Sequence, residues 1–303
     1  MPGPGSELAA TRLVCPACGA DTVRTGPRSR RSGSIVATCK RCDCHWLTNP
    51  SPVQQIAESY DFDREMYAEY VAAKRHGTLE DAYEVTLRRL GELIGSGGRE
   101  LFDVGAGAGE FVALARERGF EPHGNELAPG AIEMAKEQTG VELHHGDLST
   151  LEGDNLYDAV TMWCVLAHVP DPDDLLAQIL RVLKPGGVLF LQTPRWSAMD
   201  TAGLAAARLS RGRVTRVLDR RVTDAHIVLN SRKGLTTQAE RAGFEVIEVK
   251  PVARYSLQTQ SYLRSLGLPE RAARVAARGF DVAVDRDLFF RNVLDLYARK
   301  PLA

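Results

Sequence analysis

The chain has 303 residues, of which 44% are hydrophobic, so it can bury one large core with a smaller unit beside it. A formal net charge of −1 at pH 7 and a pI near 6.7 exclude attraction of nucleic acid by the whole protein surface, although local basic patches stay open. The sequence shows neither an apolar run long enough to cross a membrane nor a basic-then-apolar leader, and we therefore expect a cytoplasmic protein without a membrane partner.

Two Cys-x-x-Cys pairs stand near the start of the chain. Cys15 and Cys18 form the first pair, and Cys39 and Cys42 form the second. Four thiolates at this separation can converge tetrahedrally on Zn²⁺, whereas a disulfide framework would need an oxidising compartment. Four thiolates leave no open position on the metal, so the predicted role of the zinc is structural, and a zinc-activated thiol nucleophile is disfavoured.

The residues after the second pair leave the exact ligand set open. Asp43 stands where glycine commonly adopts the left-handed backbone conformation, which Asp also tolerates. Cys44 and His45 follow at once, and either could compete for the metal. Cys164, the remaining cysteine, lies in an apolar strand and is expected to be a small core residue.

A linker and a helical cap are predicted after the cysteine-rich module. The linker is the proline-containing stretch 48–52, and residues 81–94 show apolar residues at helical spacing, which predicts an amphipathic helix before Gly95. The segment between them contains aromatic residues that either close over a ligand or attach the cap to the core, namely Tyr60, Phe62, Tyr67 and Tyr70.

The stretch 101–111 joins a buried strand to a helix through three alternate glycines, Gly105, Gly107 and Gly109. Glycine lets the backbone turn sharply and approach a ligand, and the N–H groups that open the following helix face that ligand. Glu110 occupies the place where the dinucleotide fingerprint has glycine or alanine, which disfavours NAD. The loop therefore predicts a nucleotide-like cofactor, with a plain glycine-rich turn as the alternative.

Further ligand-binding positions follow the next strands. Glu126 ends the second strand, where doubly wound folds place a carboxylate on ribose hydroxyls. The pair Gly146–Asp147 follows a short third strand, and the fourth strand is predicted over 157–164. In open α/β sheets ligands bind outside the carboxyl ends of the strands, so Trp163, His168 and residues 193–195 after the fifth strand are candidates as well.

The remainder of the chain is predicted to complete the sheet with two more strands, over 244–249 and 292–298. A helix over 235–242 should pack before the first of these. Two stretches, 199–222 and 255–284, exceed a minimal fold and are where ligand specificity is expected. His226 follows the first of these insertions, and it either borders a pocket or is a surface residue.

With these features in this order, residues 101–194 resemble a class I S-adenosyl-L-methionine (SAM)-dependent methyltransferase. The resemblance implies an α/β fold with a doubly wound, mostly parallel seven-stranded sheet, preceded by a small zinc ribbon. It implies that the glycine loop contacts the methionine part of SAM, that Glu126 holds the ribose and that Asp147 contacts the adenine, roles that suit carboxylates as hydrogen-bond acceptors. The predicted cofactor-binding residues are Asp103, Gly105, Ala106, Gly107, Gly109, Glu126, Leu127, Asp147, Leu148 and Trp163.

The order of the modules narrows the resemblance to zinc-ribbon methyltransferases found beside surface-glycan and specialised-metabolite pathways. The predicted domains are a zinc ribbon over 1–50, a helical linker and cap over 51–95, and a methyltransferase domain with inserted specificity segments over 96–303. In relatives a histidine at the place of His226 borders the pocket. Ala167 stands where relatives often have Glu before the histidine, so an acid–histidine pair is not expected at His168.

The predicted function is SAM-dependent methylation of a small molecule, a sugar or a specialised metabolite. A sulfonium methyl needs in-line attack, so positioning and desolvation supply most of the acceleration, and His168 is the candidate general base because imidazole titrates near neutral pH. Whether carbon, nitrogen or oxygen is methylated is left open, and so is the oligomeric state.

Two other functions stay open: an RNA methyltransferase that holds its substrate with the ribbon, and a catalytically silent SAM-fold binding protein. The N-P-P-Y type motif of many nucleobase N-methyltransferases is absent after the fourth strand, where residues 163–166 read Trp-Cys-Val-Leu. Nucleic acid is therefore disfavoured. Arginines in the ribbon and in the first insertion would favour a phosphate or carboxylate on the acceptor if they line its entrance, namely Arg24, Arg28, Arg30, Arg31, Arg208, Arg211, Arg213, Arg216, Arg220 and Arg221.

Overall fold

The computed structural model describes residues 13–48, 78–169, 171–222, 226–254, 259–265, 267–285 and 291–302. The predicted linker, apart from Thr48, lies outside these residues. So do the aromatic residues predicted for the cap, Tyr60, Phe62, Tyr67 and Tyr70.

The strands and helices of the described residues are named here in chain order. The strands are β1 (Val23–Thr25), β2 (Val36–Cys39), β3 (His45–Leu47), β4 (Glu100–Val104), β5 (Glu121–Glu126), β6 (His144–His145), β7 (Tyr157–Trp163), β8 (Leu183–Pro194), β9 (Val228–Leu229), β10 (Glu245–Val252) and β11 (Val293–Arg299). The helices are α1 (Thr78–Ile94), α2 (Glu110–Glu117), α3 (Pro129–Thr139), α4 (Pro172–Val182), α5 (Ala198–Leu209), α6 (Arg216–Arg221), α7 (Arg232–Arg241), α8 (Thr259–Ser265) and α9 (Glu270–Asp285).

Seven strands form one sheet in the order β10-β11-β8-β7-β4-β5-β6. β11 runs antiparallel to both of its neighbours, whereas the strands from β8 to β6 pair in parallel. The direction of strand addition reverses between β4 and β7: β5 and β6 are added on one side of β4, and β7 and β8 are added on the other side. The predicted α/β fold with a mostly parallel seven-stranded sheet is confirmed.

Helices cover both faces of this sheet, and the alternation of side chains along the strands explains why. Leu101 of β4 belongs to a buried cluster with Leu90 of α1 and Phe111 of α2. The next residue, Phe102, belongs to a second cluster with Ile179 of α4 and Leu235 of α7. Successive residues of a strand point to opposite faces, so an unbroken apolar run buries both faces at once.

A second, four-stranded sheet has the order β1-β2-β3-β9. Its first three strands come from the N-terminal cysteine-rich segment, which we call the ribbon (residues 13–48), and they pair antiparallel. The fourth strand, β9, comes from the large domain and pairs with β3 through His45–Leu229 and Trp46–Val228. The ribbon is therefore joined to the large domain by a shared sheet.

The two insertions form helices, α5 with α6 and α8 with α9. Ser197 and Asp200 cap α5 reciprocally, each side chain accepting a backbone N–H of the other. None of the helices that the structure describes combines the length and the apolar composition needed to cross a bilayer.

The prediction that Cys164 is a core residue of the fourth strand is wrong. β7 ends at Trp163, and Cys164 has a φ of 65°, in the left-handed region that strands do not use and that side chains with a Cβ rarely adopt. The thiol is half-buried and lies beside two histidines.

Candidate functional site

The glycine loop connects β4 to α2 at the carboxyl edge of the sheet. Gly105, Gly107 and Gly109 have φ values of 68°, 56° and 75°, which glycine adopts without strain. A Cβ on Gly105 would lie only 2.6 Å from Cγ2 of Val165. Both the backbone conformation and this close approach require glycine, and the loop lies directly against the segment that follows β7.

Glu126, at the end of β5, is held against this loop. One carboxylate oxygen accepts the N–H of Gly107 at 2.9 Å, and the other accepts the N–H groups of Leu127 at 2.7 Å and Ala128 at 3.1 Å. An ionised carboxylate has about four acceptor positions, so it can still receive hydroxyl donors. Leu127 is 38% exposed beside it, and Ala106 donates its N–H to the carbonyl of Asn125.

Asn125 is a site residue that the sequence analysis missed. Its side-chain oxygen accepts the N–H of Gly105 at 3.3 Å, and its amide donates to the carbonyl of Gly146 at 2.7 Å. The buried side chain therefore connects the loops that follow β4 and β6. Its only signal in the sequence is its place next to Glu126.

Asp147 caps a single 3₁₀ turn over Leu148–Thr150. Its carboxylate accepts the N–H of Ser149 at 2.9 Å and also the Ser149 hydroxyl. Leu148 is buried, with 1% of its surface exposed. Through Asn125 and Gly146, this turn lies next to the glycine loop, so the structure brings the predicted residues 103–109, 126–127 and 147–148 to one edge of the sheet.

Asp103 lies beneath the glycine loop and is almost completely buried. The Thr161 hydroxyl donates to its carboxyl oxygen at 2.6 Å. Burial raises the pKa of Asp103 to about 7, the Thr161 hydrogen bond opposes this increase, and the negative charge of Glu126 adds to it. The carboxyl group is therefore poised to hold a proton near neutral pH.

Trp163, the last predicted cofactor residue, lies in an aromatic cluster on the face covered by α1 and α2. Its ring centroid is 4.6 Å from that of Tyr83, 5.3 Å from Phe111 and 4.7 Å from Phe190. The Arg254 guanidinium lies 5.7 Å from its centroid. The buried indole N–H has no hydrogen-bond partner among the described residues.

A surface groove lies at the other end of the sheet, beside the amino ends of β4 and β5. Leu87, Arg88, Arg99 and Phe120 are among its lining residues. Because ligands of open α/β sheets bind at the carboxyl ends of the strands, this groove is separate from the glycine loop and from Glu126.

His168 lies in the turn that leaves β7, and its N–H donates to the carbonyl of Val165 at 2.9 Å. The structure places His226 next to it, with ring centroids 5.0 Å apart. The sulfur of Cys164 lies 3.6 Å from Nε2 of His226 and 4.0 Å from Nε2 of His168. Burial lowers the pKa of His168 to about 4 and raises the pKa of the Cys164 thiol to about 11, so both groups are uncharged near pH 7. The expectation that His168 titrates near neutral pH is therefore wrong, because it left out the effect of burial.

The four cysteines of the ribbon converge as the sequence analysis expected. The sulfurs of Cys15 and Cys42 are 3.6 Å apart, as are those of Cys18 and Cys39, and all four are buried. Tetrahedral Zn²⁺ with Zn–S bonds of about 2.3 Å separates its sulfurs by about 3.8 Å. The cluster therefore fits zinc closely.

The neighbouring candidates for this metal also contact other residues, although the Cys44 side chain interacts with that of Cys15 as well. Cys44 directs its sulfur at Oδ1 of Asn230, 3.6 Å away. His45 stacks on Trp196 with a centroid distance of 3.6 Å, and its Nδ1 lies 3.0 Å from the Asp43 carbonyl oxygen. Asp43 has a φ of 57°, which confirms the left-handed conformation predicted for it.

The segment after His226 connects the ribbon to the turn that contains His168. Ile227 donates its N–H to the carbonyl of Ala167 at 2.7 Å, and its own carbonyl accepts the N–H of Leu47 at 2.8 Å. The backbone of Ile227 is thus bonded to β3 on one side and to the residue before His168 on the other. The ribbon fixes the position of His226 through this contact.

Not all arginines of the first insertion are free to line an entrance for the acceptor. Arg221 forms a buried ion pair with Asp200, at 3.0 Å from Nε to Oδ1, and donates to the carbonyl of Arg195. The neighbouring Asp219 accepts from Ser29 and Ser32 of the ribbon. The insertion therefore packs against the ribbon, and at least Arg221 is a structural residue.

Comparison with known proteins gives one family for this chain. A family model described as a methyltransferase domain matches residues 73–249. Malonyl-[acyl-carrier protein] O-methyltransferase of Serratia marcescens is 35% identical over 132 residues, which are 41% of this chain and 51% of that protein. An uncharacterised 37.1 kDa protein of transposon TN4556 from Streptomyces fradiae is 32% identical over 197 residues, 60% of this chain and 54% of that protein. The chain spans about half the length of the curated relatives it matches.

Solved structures with the same fold include proteins of different activity. The [4+2]-cyclase SpnF aligns with a TM-score of 0.55 at 22% identity, over 84% of this chain and 98% of its own. Phosphoethanolamine N-methyltransferase 2 of Haemonchus contortus, in complex with SAM, aligns with a TM-score of 0.57 at 17% identity, over 85% of this chain and 62% of its own. Since one neighbour is named for a cyclisation, the fold alone does not fix the reaction.

The ribbon cluster predicts a specific response to loss of one thiol. Cys39→Ser removes one of four converging ligands, so the zinc content of the purified protein should fall by one equivalent per chain. Cys44→Ser is the matched control, because its sulfur is buried beside the cluster but contacts Asn230. Metal analysis of the folded proteins checks this, and unchanged zinc in Cys39→Ser would show that the ligand set is wrong.

Asp103 predicts a pH dependence of stability. Its pKa is about 7 in the folded protein and about 3.9 in an unfolded chain, so the folded state binds the proton more tightly and stability falls as pH rises from about 4 to about 7. Asp103→Asn cannot ionise and keeps an acceptor for Thr161. Relative to wild type, its free energy of unfolding in urea should rise by roughly 2–4 kcal/mol on going from pH 5 to pH 8. Parallel pH profiles of the two proteins would refute this.

Proposed function

We propose that this chain, which belongs to the SAM-dependent methyltransferase family, transfers the methyl group of SAM to a small-molecule acceptor, a sugar or a specialised metabolite. The observation that supports this most directly is the junction of the glycine loop and Glu126. The N–H of Gly107 bonds to the Glu126 carboxylate, and Asn125 joins both to the turn at Gly146. This edge of the sheet suits a ligand such as SAM, in which a ribose is attached to a charged methionine part.

When bound, SAM supplies a methyl group on a positively charged sulfonium sulfur. The residues of the chain then have separate tasks. Glu126 accepts hydrogen bonds from the ribose hydroxyls, and Asp147 accepts one from the exocyclic amine of the adenine. Leu127 and Leu148 provide apolar contacts on either side of the adenine ring. The glycine loop lets the backbone approach the methionine part closely.

His168 is proposed to activate the acceptor, in the simplest case as a general base. It lies beyond the carboxyl end of β7, and the adjacent Val165 contacts Gly105 of the cofactor loop. An acceptor between His168 and the glycine loop would face the methyl group with few waters around it. Holding the two reactants in line in this way supplies most of the rate acceleration that such a site can give.

The acceptor specificity is proposed to reside in the insertion that forms α5 and α6. This insertion packs on the ribbon through Ser29, whose hydroxyl lies 3.0 Å from that of Thr215. The zinc of the ribbon then has a structural role, since it stabilises the strand that pairs with β9. We also propose a cytoplasmic location, because a zinc–thiolate cluster persists in a reducing compartment.

Glu126 provides a test of cofactor binding. Glu126→Ala removes hydrogen bonds to a charged group, so its affinity for SAM and S-adenosylhomocysteine in calorimetry should fall by about 1.5–3 kcal/mol, or roughly 10- to 150-fold. Glu133→Ala, an exposed acid on α3, is the control and should bind as wild type does. Tight binding of NAD without binding of SAM would overturn the assignment.

His168 provides a test of acceptor activation. With the true acceptor, His168→Ala should lower kcat by about 10²-fold or more while the affinity for S-adenosylhomocysteine stays unchanged, because the predicted cofactor residues are elsewhere. His123→Ala, a histidine that is 60% exposed on its side chain, is the control. Unchanged turnover in His168→Ala would show that the residue only packs.

A further inference from the structure

We propose that Cys164, His168 and His226 form a second metal site, distinct from the ribbon cluster, that binds a divalent ion such as Zn²⁺ and leaves one coordination position open. The three side chains come from two loops that meet at the carboxyl edge of the sheet. The metal site is inferred from the positions of these three side chains. Only its role towards an acceptor rests on the proposed function.

The distances from the Cys164 sulfur to the two imidazole nitrogens are close to those of a tetrahedral site. With Zn–S of about 2.3 Å and Zn–N of about 2.05 Å, a sulfur and a nitrogen on one zinc lie about 3.6 Å apart. The sulfur of Cys164 is 3.6 Å from Nε2 of His226 and 4.0 Å from Nε2 of His168. All three ligand atoms lie within 4.8 Å of one another, so a small rotation of one ring completes the arrangement.

The backbone holds these side chains in place. Cys164 keeps its left-handed conformation, with φ at 65°, while its N–H donates to the carbonyl of Gln192 at 2.9 Å. A non-glycine residue in this region costs about 1–3 kcal/mol and persists only where the surroundings enforce it, commonly at functional sites. The bond from Ile227 to Ala167 joins the neighbours of the two histidines. The convergence is therefore built into the fold.

The composition of this cluster suits a metal ion. One thiol and two imidazoles converge here, and these are the side chains that Zn²⁺ uses as sulfur and nitrogen ligands. Neutral imidazole is the form that binds metals, and a bound cation displaces the thiol proton. The sulfur–nitrogen distances of 3.6 and 4.0 Å are near the separation of about 3.6 Å expected for a sulfur and a nitrogen on one zinc ion.

Three protein ligands are the mark of a catalytic rather than a closed structural site. The contact of Val165 with Gly105 brings the segment that carries Cys164 and His168 next to the glycine loop proposed to bind SAM. An acceptor hydroxyl or thiol bound there loses its proton to solvent more readily. Its oxygen or sulfur then forms a bond to the methyl carbon, the carbon–sulfur bond of the sulfonium breaks, and S-adenosylhomocysteine and one proton are released. His168 would then activate the acceptor through the metal.

The test measures metal in the full chain. Zinc analysis of protein from zinc-supplemented cells should give two equivalents per chain, and Cys164→Ser and His226→Gln should each retain one. His123→Gln is the matched control and should keep two. Retention of the ribbon equivalent shows that the variants are folded. One equivalent in the wild type, without a second on titration with Co²⁺, would overturn the proposal.

Cobalt titration provides an independent readout. Added to protein whose ribbon holds zinc, Co²⁺ should give the visible absorption of a four-coordinate ion with a sulfur-to-cobalt band, and Cys164→Ser should lose that band. A spectrum unchanged by Cys164→Ser or by His226→Gln would refute the site. Calorimetry with S-adenosylhomocysteine on the same samples separates the two proposals. If the cofactor binds and the second metal is absent, the metal site alone is refuted. If the second metal is present and the cofactor does not bind, the proposed function alone is refuted.

Discussion

The backbone of one residue, Ile227, bridges the ribbon and the turn that contains His168. Its carbonyl bonds to Leu47 of the ribbon and its N–H bonds to Ala167, one residue before His168. A segment as short as the ribbon cannot bury enough apolar surface to be stable by itself. It obtains its fourth strand from β9 and its apolar contacts from the same region, where Ile227, Val228 and Leu229 share a buried cluster with the four ribbon cysteines. The four-cysteine cluster of the ribbon and the turn that contains His168 are thus mechanically connected.

The two halves of the site are built in different ways. The proposed cofactor half is local: Asp103, the glycine loop, Asn125 and Glu126 lie on or directly after β4 and β5, which pair in parallel. The other half unites the turn after β7 with a segment some sixty residues later, and Cys164 and His226 are 62 residues apart. The ribbon stabilises that second half through backbone pairing, the stacking of His45 on Trp196 and the contact of Cys44 with Asn230.

This difference explains what the sequence could and could not predict. Strand runs, the glycine loop and the Cys-x-x-Cys pairs depend on residues close in sequence, so their periodicity and spacing predict individual strands and the convergence of the four thiols. The seven-stranded sheet that joins these strands is implied by the resemblance to class I methyltransferases. β9 is two residues long and has no pattern of its own, and it is a strand only because β3 lies beside it. Cys164 was misplaced because its apolar neighbours favour a strand, while the turn that ends β7 is set by contacts with Gln192 and Gly105. The positions of Asn125 and His226 likewise follow from tertiary contacts.

The shared sheet also constrains how the chain folds as it leaves the ribosome. Cys44 and its partner Asn230 are separated by 186 residues, so β3 keeps an unpaired edge until most of the large domain has been synthesised. Unpaired strand edges invite association with other chains, and closing so long a loop is slow. Early capture of zinc by the nascent cysteines would hold β1 to β3 together during this interval. If zinc binds first, sheet completion would come last, and a chain truncated before residue 228 would lack the strand that pairs with β3.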